Sequence, residues 1–199
     1  MVWLKSQWKR ATWGVKVESG AGDERRWSYK KRLAEVEKRA SRKAGSGDSD
    51  ADSSNKRLVL ALYDALNSGD SDAVASILAA DLEWWFHGPP SHQFLMRMLT
   101  GDSGHSFSFV PQSIVSFGST VIVEGCDGAR SIAWVHAWSI AGDGIISQVR
   151  EYFNTALTVT RIDHSDQILP ATSSGLPCVW ESSVSSRVGK SVPGLVLAI

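Results

Sequence analysis

Residues 131–155 read SIAWVHAWSI, AGDG, IISQVREYFNT: two runs rich in Val, Ile, Trp and Tyr joined by a Gly-Asp-Gly turn. Those residue types suit a pleated, half-buried surface, and the turn suits a hairpin. If Ala141 to Gly144 form a four-residue loop, Ile140 lies opposite Ile145. Counting outward then pairs Trp138 with Ser147, His136 with Val149 and Trp134 with Glu151. Side chains alternate with period two, so Trp134, His136 and Trp138 share one face with Val149, Glu151 and Phe153. The other face receives Ala133, Val135, Ala137, Gln148, Arg150 and Tyr152, a mixture suited to solvent or a partner sheet.

Upstream of this hairpin the pattern is helical. Leu58, Val59, Leu62, Ala65 and Leu66 recur on one face of a helix over 55–67, with Ser53 or Ser54 as its cap and Gly69 at its end. Asp70 or Ser71 caps a second, short helix whose Ala73, Val74, Ile77 and Leu78 face inward. The run LEWWFH, residues 82–87, reads as a strand stopped by Gly88-Pro89-Pro90, because proline offers no ladder donor. Ser91 then caps a third helix bearing Phe94, Leu95, Met98 and Leu99. Further strands are expected over 106–110, 113–117 and 120–125. Three helices, a strand and an antiparallel meander predict an α+β fold with helices on one face of a curved sheet.

The 199-residue chain has a formal net charge of zero, but the charge is divided unevenly. Residues 1–45 hold 13 of the 21 Lys and Arg and 5 of the 21 acids. Three parts follow: a basic extension with a Gly/Ser/Asp linker over 1–53, a folded domain over 54–162, and a tail over 163–199 whose apolar end docks on the domain. The extension is expected to be disordered or partly helical. A thin stripe of Tyr29, Leu33, Val36 and Ala40 fits a solvated helix. Its split cluster, Lys30-Lys31-Arg32 and Lys38-Arg39 to Arg42-Lys43, fits nuclear import better than nucleic-acid contact, since Glu35 and Glu37 interrupt it. Two cysteines, Cys126 and Cys178, are too few for a disulfide scaffold, and no metal or cofactor motif is present. No apolar run reaches the length of a membrane span and no signal-peptide core opens the chain, so the expected location is cytoplasm or nucleus.

Four stretches carry a family resemblance: Glu83-Trp84-Trp85-Phe86-His87-Gly88-Pro89-Pro90, Met96-Arg97-Met98-Leu99-Thr100-Gly101, Arg150-Glu151-Tyr152-Phe153-Asn154-Thr155, and Pro193-Gly194-Leu195-Val196-Leu197-Ala198-Ile199. Over roughly residues 55–199 the chain resembles the plant wound-induced and senescence-associated family. That resemblance implies a nuclear transport factor 2-like (SnoaL-like) cone with a cavity in its mouth, and a stress-responsive role. The superfold hosts isomerases, cyclases, hydrolases and plain binding modules, so chemistry must come from the site.

Strand parity directs Leu82, Trp84 and Phe86 inward, where they join Leu62 and Leu66 of the first helix. The candidate wall is therefore Leu62, Leu66, Trp84, Phe86, Trp134, Trp138, Val149 and Phe153, with His136 and Glu151 as its polar pair. A mostly apolar concavity with a few convergent polar groups is the profile of a small-molecule site, and the same residues also make an ordinary core. His136 and Glu151, diagonal neighbours on this face, are placed to hydrogen-bond, which orients an imidazole as a general base or satisfies two buried groups. The tyrosine and carboxylate positions of the steroid-isomerase branch fall on Leu62 and Phe86, with Tyr63 one step off, so that proton shuttle is not expected. His87, His92, His105 and His164 sit in turn or polar context. The leading expectation is a protein that binds a small apolar ligand; a pocket enzyme using His136 and Glu151, and a protein-interaction module, are the alternatives, and a homodimer formed through the face of Val135, Arg150 and Tyr152 is expected.

Overall fold

The computed structural model describes residues 50–101, 107–161, 177–183 and 192–199, together with Lys31, Ala34, Glu35 and Lys38, which are helical and exposed. The other basic-cluster residues, Tyr29, Leu33, Val36, Ala40, His105 and His164 lie outside the described residues.

Helix α1 spans Asp50–Ser68, so it begins before the expected cap at Ser53 or Ser54. Asp50 and Asp52 lie in its first turn, where carboxylates favour the positive end of the helix dipole. Asp52 also accepts from Ser116 Oγ at 2.8 Å and the Gly118 amide at 3.2 Å, fastening that turn to the sheet. Gly69, at φ 70°, closes the helix in the left-handed region that glycine enters at least cost. Helix α2 (Ser71–Ile77) is capped by Asp70, whose side chain accepts from the Ala73 amide at 3.0 Å. None of its residues is fully buried; Val74 and Ile77 only rest against the core. Strand β1 (Leu78–His87) follows directly, then a 3-10 turn over Pro90–His92, which takes up the expected Ser91 cap position and moves the start of α3 to Phe94–Thr100.

The main sheet continues with β2 (Ser113–Phe117), β3 (Thr120–Asp127), β4 (Ile132–Ile140) and β5 (Ile146–Phe153), in the order β1-β5-β4-β3-β2. Only β1 and β5 pair in parallel; the remaining neighbours of this sheet are antiparallel. Residues 107–111 form no strand, contrary to expectation. Asn67 holds them instead: its Nδ2 donates to Phe109 O at 2.8 Å, and its Oδ1 accepts from the Phe109 amide and Ser108 Oγ. Asn67→Ala should therefore destabilise the fold by about 1–3 kcal/mol, read by urea denaturation, because it strips partners from partly buried backbone groups. A loss near zero would mean that the segment is held by packing alone.

A second sheet was not anticipated. Asn154, at φ 49°, breaks the expected continuation of β5 to Thr155, and β6 (Ala156–Thr160) crosses over to pair with β7 (Cys178–Glu181) and, in parallel, with β8 (Gly194–Ala198). This sheet covers the outer face of the first: Ile122, Val135, Ala137 and Tyr152 pack with Leu157, Val159 and Leu197. Val135 is 2% and Tyr152 4% exposed, so the face considered for dimerisation is already covered by the chain itself. The larger core lies on the opposite face, between the sheet and helices α1 and α3.

Candidate functional site

The inner face of the main sheet gathers every residue expected in the wall. Leu62, Leu66, Trp84, Trp134, Trp138, Val149 and Phe153 belong to one buried cluster, and Phe86 packs at its margin. The pairing within it differs from the count made outward from the turn. The loop closes at Ile140 opposite Ile146, one residue later than assumed, and a bulge after Ser139 adds one more. Two single-residue shifts restore the parity, so the faces are as expected while the partners change: Trp138 lies opposite Val149, Trp134 opposite Phe153, and His136 directly opposite Glu151. On the other side of β5, Trp84 sits beside Val149 and Phe86 beside Glu151.

His136 and Glu151 are both fully buried, and a chain of hydrogen bonds runs through them. Trp138 Nε1 donates to Tyr63 OH at 3.0 Å, and Tyr63 OH lies 2.7 Å from His136 Nδ1. His136 Nε2 lies 3.2 Å from Glu151 Oε1, and Trp84 Nε1 donates to Glu151 Oε2 at 2.9 Å. An indole N–H can only donate, so Tyr63 accepts from Trp138 and has its own proton to give to His136 Nδ1. The remaining imidazole proton belongs on Nε2, facing Glu151. Each carboxylate oxygen thus accepts one donor, and both ring nitrogens of His136 are engaged.

Tyr63 is the residue that sequence reasoning missed. It is fully buried, its ring nearly parallel to that of His136 at a centroid distance of 5.9 Å. The signal was present: Val59, Tyr63 and Leu66 stand at i, i+4 and i+7 on the apolar stripe. Phe109 was missed as well, because 107–111 is not a strand; its ring lies 4.8 Å from His136 and edge-on to Trp134 at 5.1 Å.

Burial is graded along the cluster. Trp138 and His136 are fully enclosed, Trp84 is 8% exposed and Phe86 half-buried. Beyond Phe86 the aromatic packing turns inward again through Phe153, at 6.0 Å and 2% exposed, to half-buried His92 and to Phe94, 8% exposed. Gly88 lies so close that an added Cβ would stand 3.0 Å from both Phe153 Cβ and Phe86 Cζ. Of the remaining histidines, His87 stacks on Tyr152 at 4.7 Å on the outer face, away from this site. No group of three or more His, Cys, Asp or Glu side chains suited to a metal occurs among the described residues, and none of their helices is long and apolar enough to cross a membrane.

Burial holds the imidazole of His87 below its ordinary 6.5, assisted by the Arg150 guanidinium; burial alone does so for His92. The unfolded chain takes up these protons near 6.5 while the folded one resists, so their contribution is complete above that pH and is lost as pH falls through the lower folded values. The melting temperature should decline below about pH 6.5, with a shallower slope in a His87→Gln, His92→Gln double variant. Identical slopes would assign the acid sensitivity to other groups.

The family model for wound-induced protein WI12 matches residues 96–199. A protein of Arabidopsis thaliana described as senescence associated gene 20 is 60% identical over 113 residues, spanning 52% of this chain and all of that protein. Wound-induced protein 1 of Solanum tuberosum is 59% identical over 107 residues, again 52% of this chain and the whole of the relative. Among solved structures, an NTF2-like protein of Burkholderia xenovorans is 22% identical with a TM-score of 0.40, covering 53% of this chain and 92% of its own. An LEH-like epoxide hydrolase of M. tuberculosis is 21% identical with a TM-score of 0.42, covering 53% and 82%. At those scores neither structure bears on chemistry.

Proposed function

The chain belongs to the wound-induced protein WI12 family, and from that premise we propose that it binds a small apolar molecule against the aromatic face of its main sheet. The observation that carries this reading is the graded aromatic surface. It runs from enclosed Trp138 and His136 to half-buried Phe86, with a hydrogen-bonded polar string along its floor. An apolar surface with a few fixed polar groups suits a ligand better than bulk water. The string holds the indoles of Trp84 and Trp138 in place, so the surface is preorganised before a ligand arrives.

A second reading, proton transfer by His136 and Glu151, draws on their 3.2 Å contact. It requires a free basic nitrogen, and Tyr63 occupies Nδ1 while Nε2 faces the carboxylate. Binding is therefore the better-supported function. Mass spectrometry of small molecules released from purified, denatured full-length protein tests it. One apolar compound, or a few, should be retained in near-stoichiometric amount, and Phe86→Ser, at the exposed margin, should lose them while still melting cooperatively. Conversion of the retained compound on incubation would favour the second reading, and protein that retains nothing would refute the first.

A further inference from the structure

Among the described residues, His92 is the one histidine with a buried ring nitrogen that no hydrogen bond uses. It follows the Gly88-Pro89-Pro90 turn, and its amide donates to Pro89 O at 2.8 Å, which fixes the backbone of the 3-10 turn. Its ring lies over Phe94 at 5.6 Å and 30°, and 5.4 Å from Phe153. The Nδ1 atom is enclosed there without a hydrogen-bond partner. A buried ring nitrogen beside the phenyl rings of Phe94 and Phe153, left unpaired by the protein, is an energetic fault unless something else meets it.

The aromatic path gives that fault a direction. Phe153 packs on Phe86, and Phe86 on Trp84 at 5.3 Å, whose indole reaches Glu151. His92 therefore stands at the outer end of the surface proposed above to bind an apolar molecule, with the engaged pair His136 and Glu151 at the inner end. The inner polar groups are satisfied by one another, which leaves the enclosed His92 Nδ1 as the unpaired polar atom beside this surface, reached by a ligand that enters between the rings. A neutral imidazole nitrogen either accepts or donates according to tautomer, and a hydroxyl can meet it in both cases. Burial opposes protonation of this ring, which favours its neutral form.

We propose that His92 Nδ1 is the anchor for a single hydroxyl on an otherwise apolar aromatic ligand, which makes the ligand class a phenol. The aromatic body would enter beside half-buried Phe86, parting the buried rings of Phe94 and Phe153, and the hydroxyl would meet the nitrogen. This rests on the binding function proposed above and adds the ligand's one polar group.

The test compares 2-naphthol with 2-methylnaphthalene, similar in shape but differing in the hydroxyl, by equilibrium dialysis against the full chain. Wild-type protein should prefer the naphthol by about tenfold, the worth of one hydrogen bond to a buried partner. His92→Phe and His92→Leu should each bring the ratio close to one by weakening the naphthol alone, and His92→Gln, which can still donate and accept, should keep part of the preference. If both compounds bind and the ratio survives in His92→Phe or His92→Leu, the anchor is refuted while the apolar surface stands. If neither compound binds wild-type protein, the binding function fails and the anchor with it.

Discussion

Gly125→Val should lower stability by about 3 kcal/mol, the upper part of the range for forcing atoms into a packed core, and Gly125→Ala should already cost a large share of that. A Cβ at this position would stand 2.5 Å from the backbone oxygen of Val110 and closer still to Cζ2 of Trp134. Neither neighbour can yield cheaply. The first is main chain, in the segment fastened by Asn67, and the second is an indole 1% exposed, packed against Tyr63 at 5.7 Å and Phe109 at 5.1 Å. Gly125 lies opposite Trp134 in the β3–β4 ladder, so the missing side chain is the space the indole occupies. For a chain of this size the melting temperature should fall by about 6–12 °C. A Gly125→Ala protein within about 0.5 kcal/mol of wild type in guanidinium denaturation would show that the strand can shift aside, and the tight fit would lose its explanation.

The same strand shows why some of the architecture was legible in the sequence and some was not. Alternation along residues 132–140 and 146–153 sorts the side chains of each strand between two faces, and the faces stayed matched across the pair because the two single-residue shifts sum to an even one. Trp134, His136 and Trp138 could therefore be assigned to the face of Val149 and Glu151 even though the loop and bulge lengths were wrong. Which of them touch depends on those lengths, and a bulge at Ser139 has no compositional mark. The helices were legible from their apolar stripes, Asp70 and Gly69 from their local chemistry. Their starts were less so, since the first turn of α1 is held by Asp52 reaching Ser116 in β2, 64 residues onward, a contact that local pattern cannot contain.

The second sheet was illegible for a related reason. Asn154 redirects the chain by adopting a positive φ, and its Oδ1 accepts from the Ala133 amide at 2.9 Å, a tertiary contact that makes the turn affordable. Its consequence is that Val135 and Tyr152 find cover within the chain. Glu124 illustrates the same dependence on distant sequence: it is 2% exposed on that outer face, and its carboxylate accepts from Ser182 Oγ, Ser183 Oγ and the Ser183 amide, all in the segment after β7. Nothing near position 124 announces those partners.

The largest polar effect should come from Glu151. Its two oxygens accept from different donors, His136 Nε2–H and Trp84 Nε1–H, and the residue has no exposed surface. Glu151→Leu is close in volume but leaves both donors buried and unpaired, at about 1–3 kcal/mol each, so a total loss of about 2–6 kcal/mol is expected. Glu151→Gln should be milder without being neutral. A carboxamide has one acceptor oxygen and one donor nitrogen, so it meets one of the two N–H groups and confronts the other with a like donor. Tyr63→Phe added to either variant separates two accounts of the string. If it is one cooperative unit, removing the hydroxyl that bridges Trp138 and His136 will cost less in the Glu151→Leu background than in wild type, because the unit is already broken; if the bonds are independent, the two costs will agree within about 0.5 kcal/mol. The same variants bear on function through affinity for any retained apolar compound. A string that only preorganises the surface should lose stability and affinity together, in the order Leu, then Gln, then wild type. Loss of turnover in Glu151→Gln with near-normal stability and undiminished binding would instead identify the carboxylate as a proton carrier and overturn the binding function in favour of catalysis.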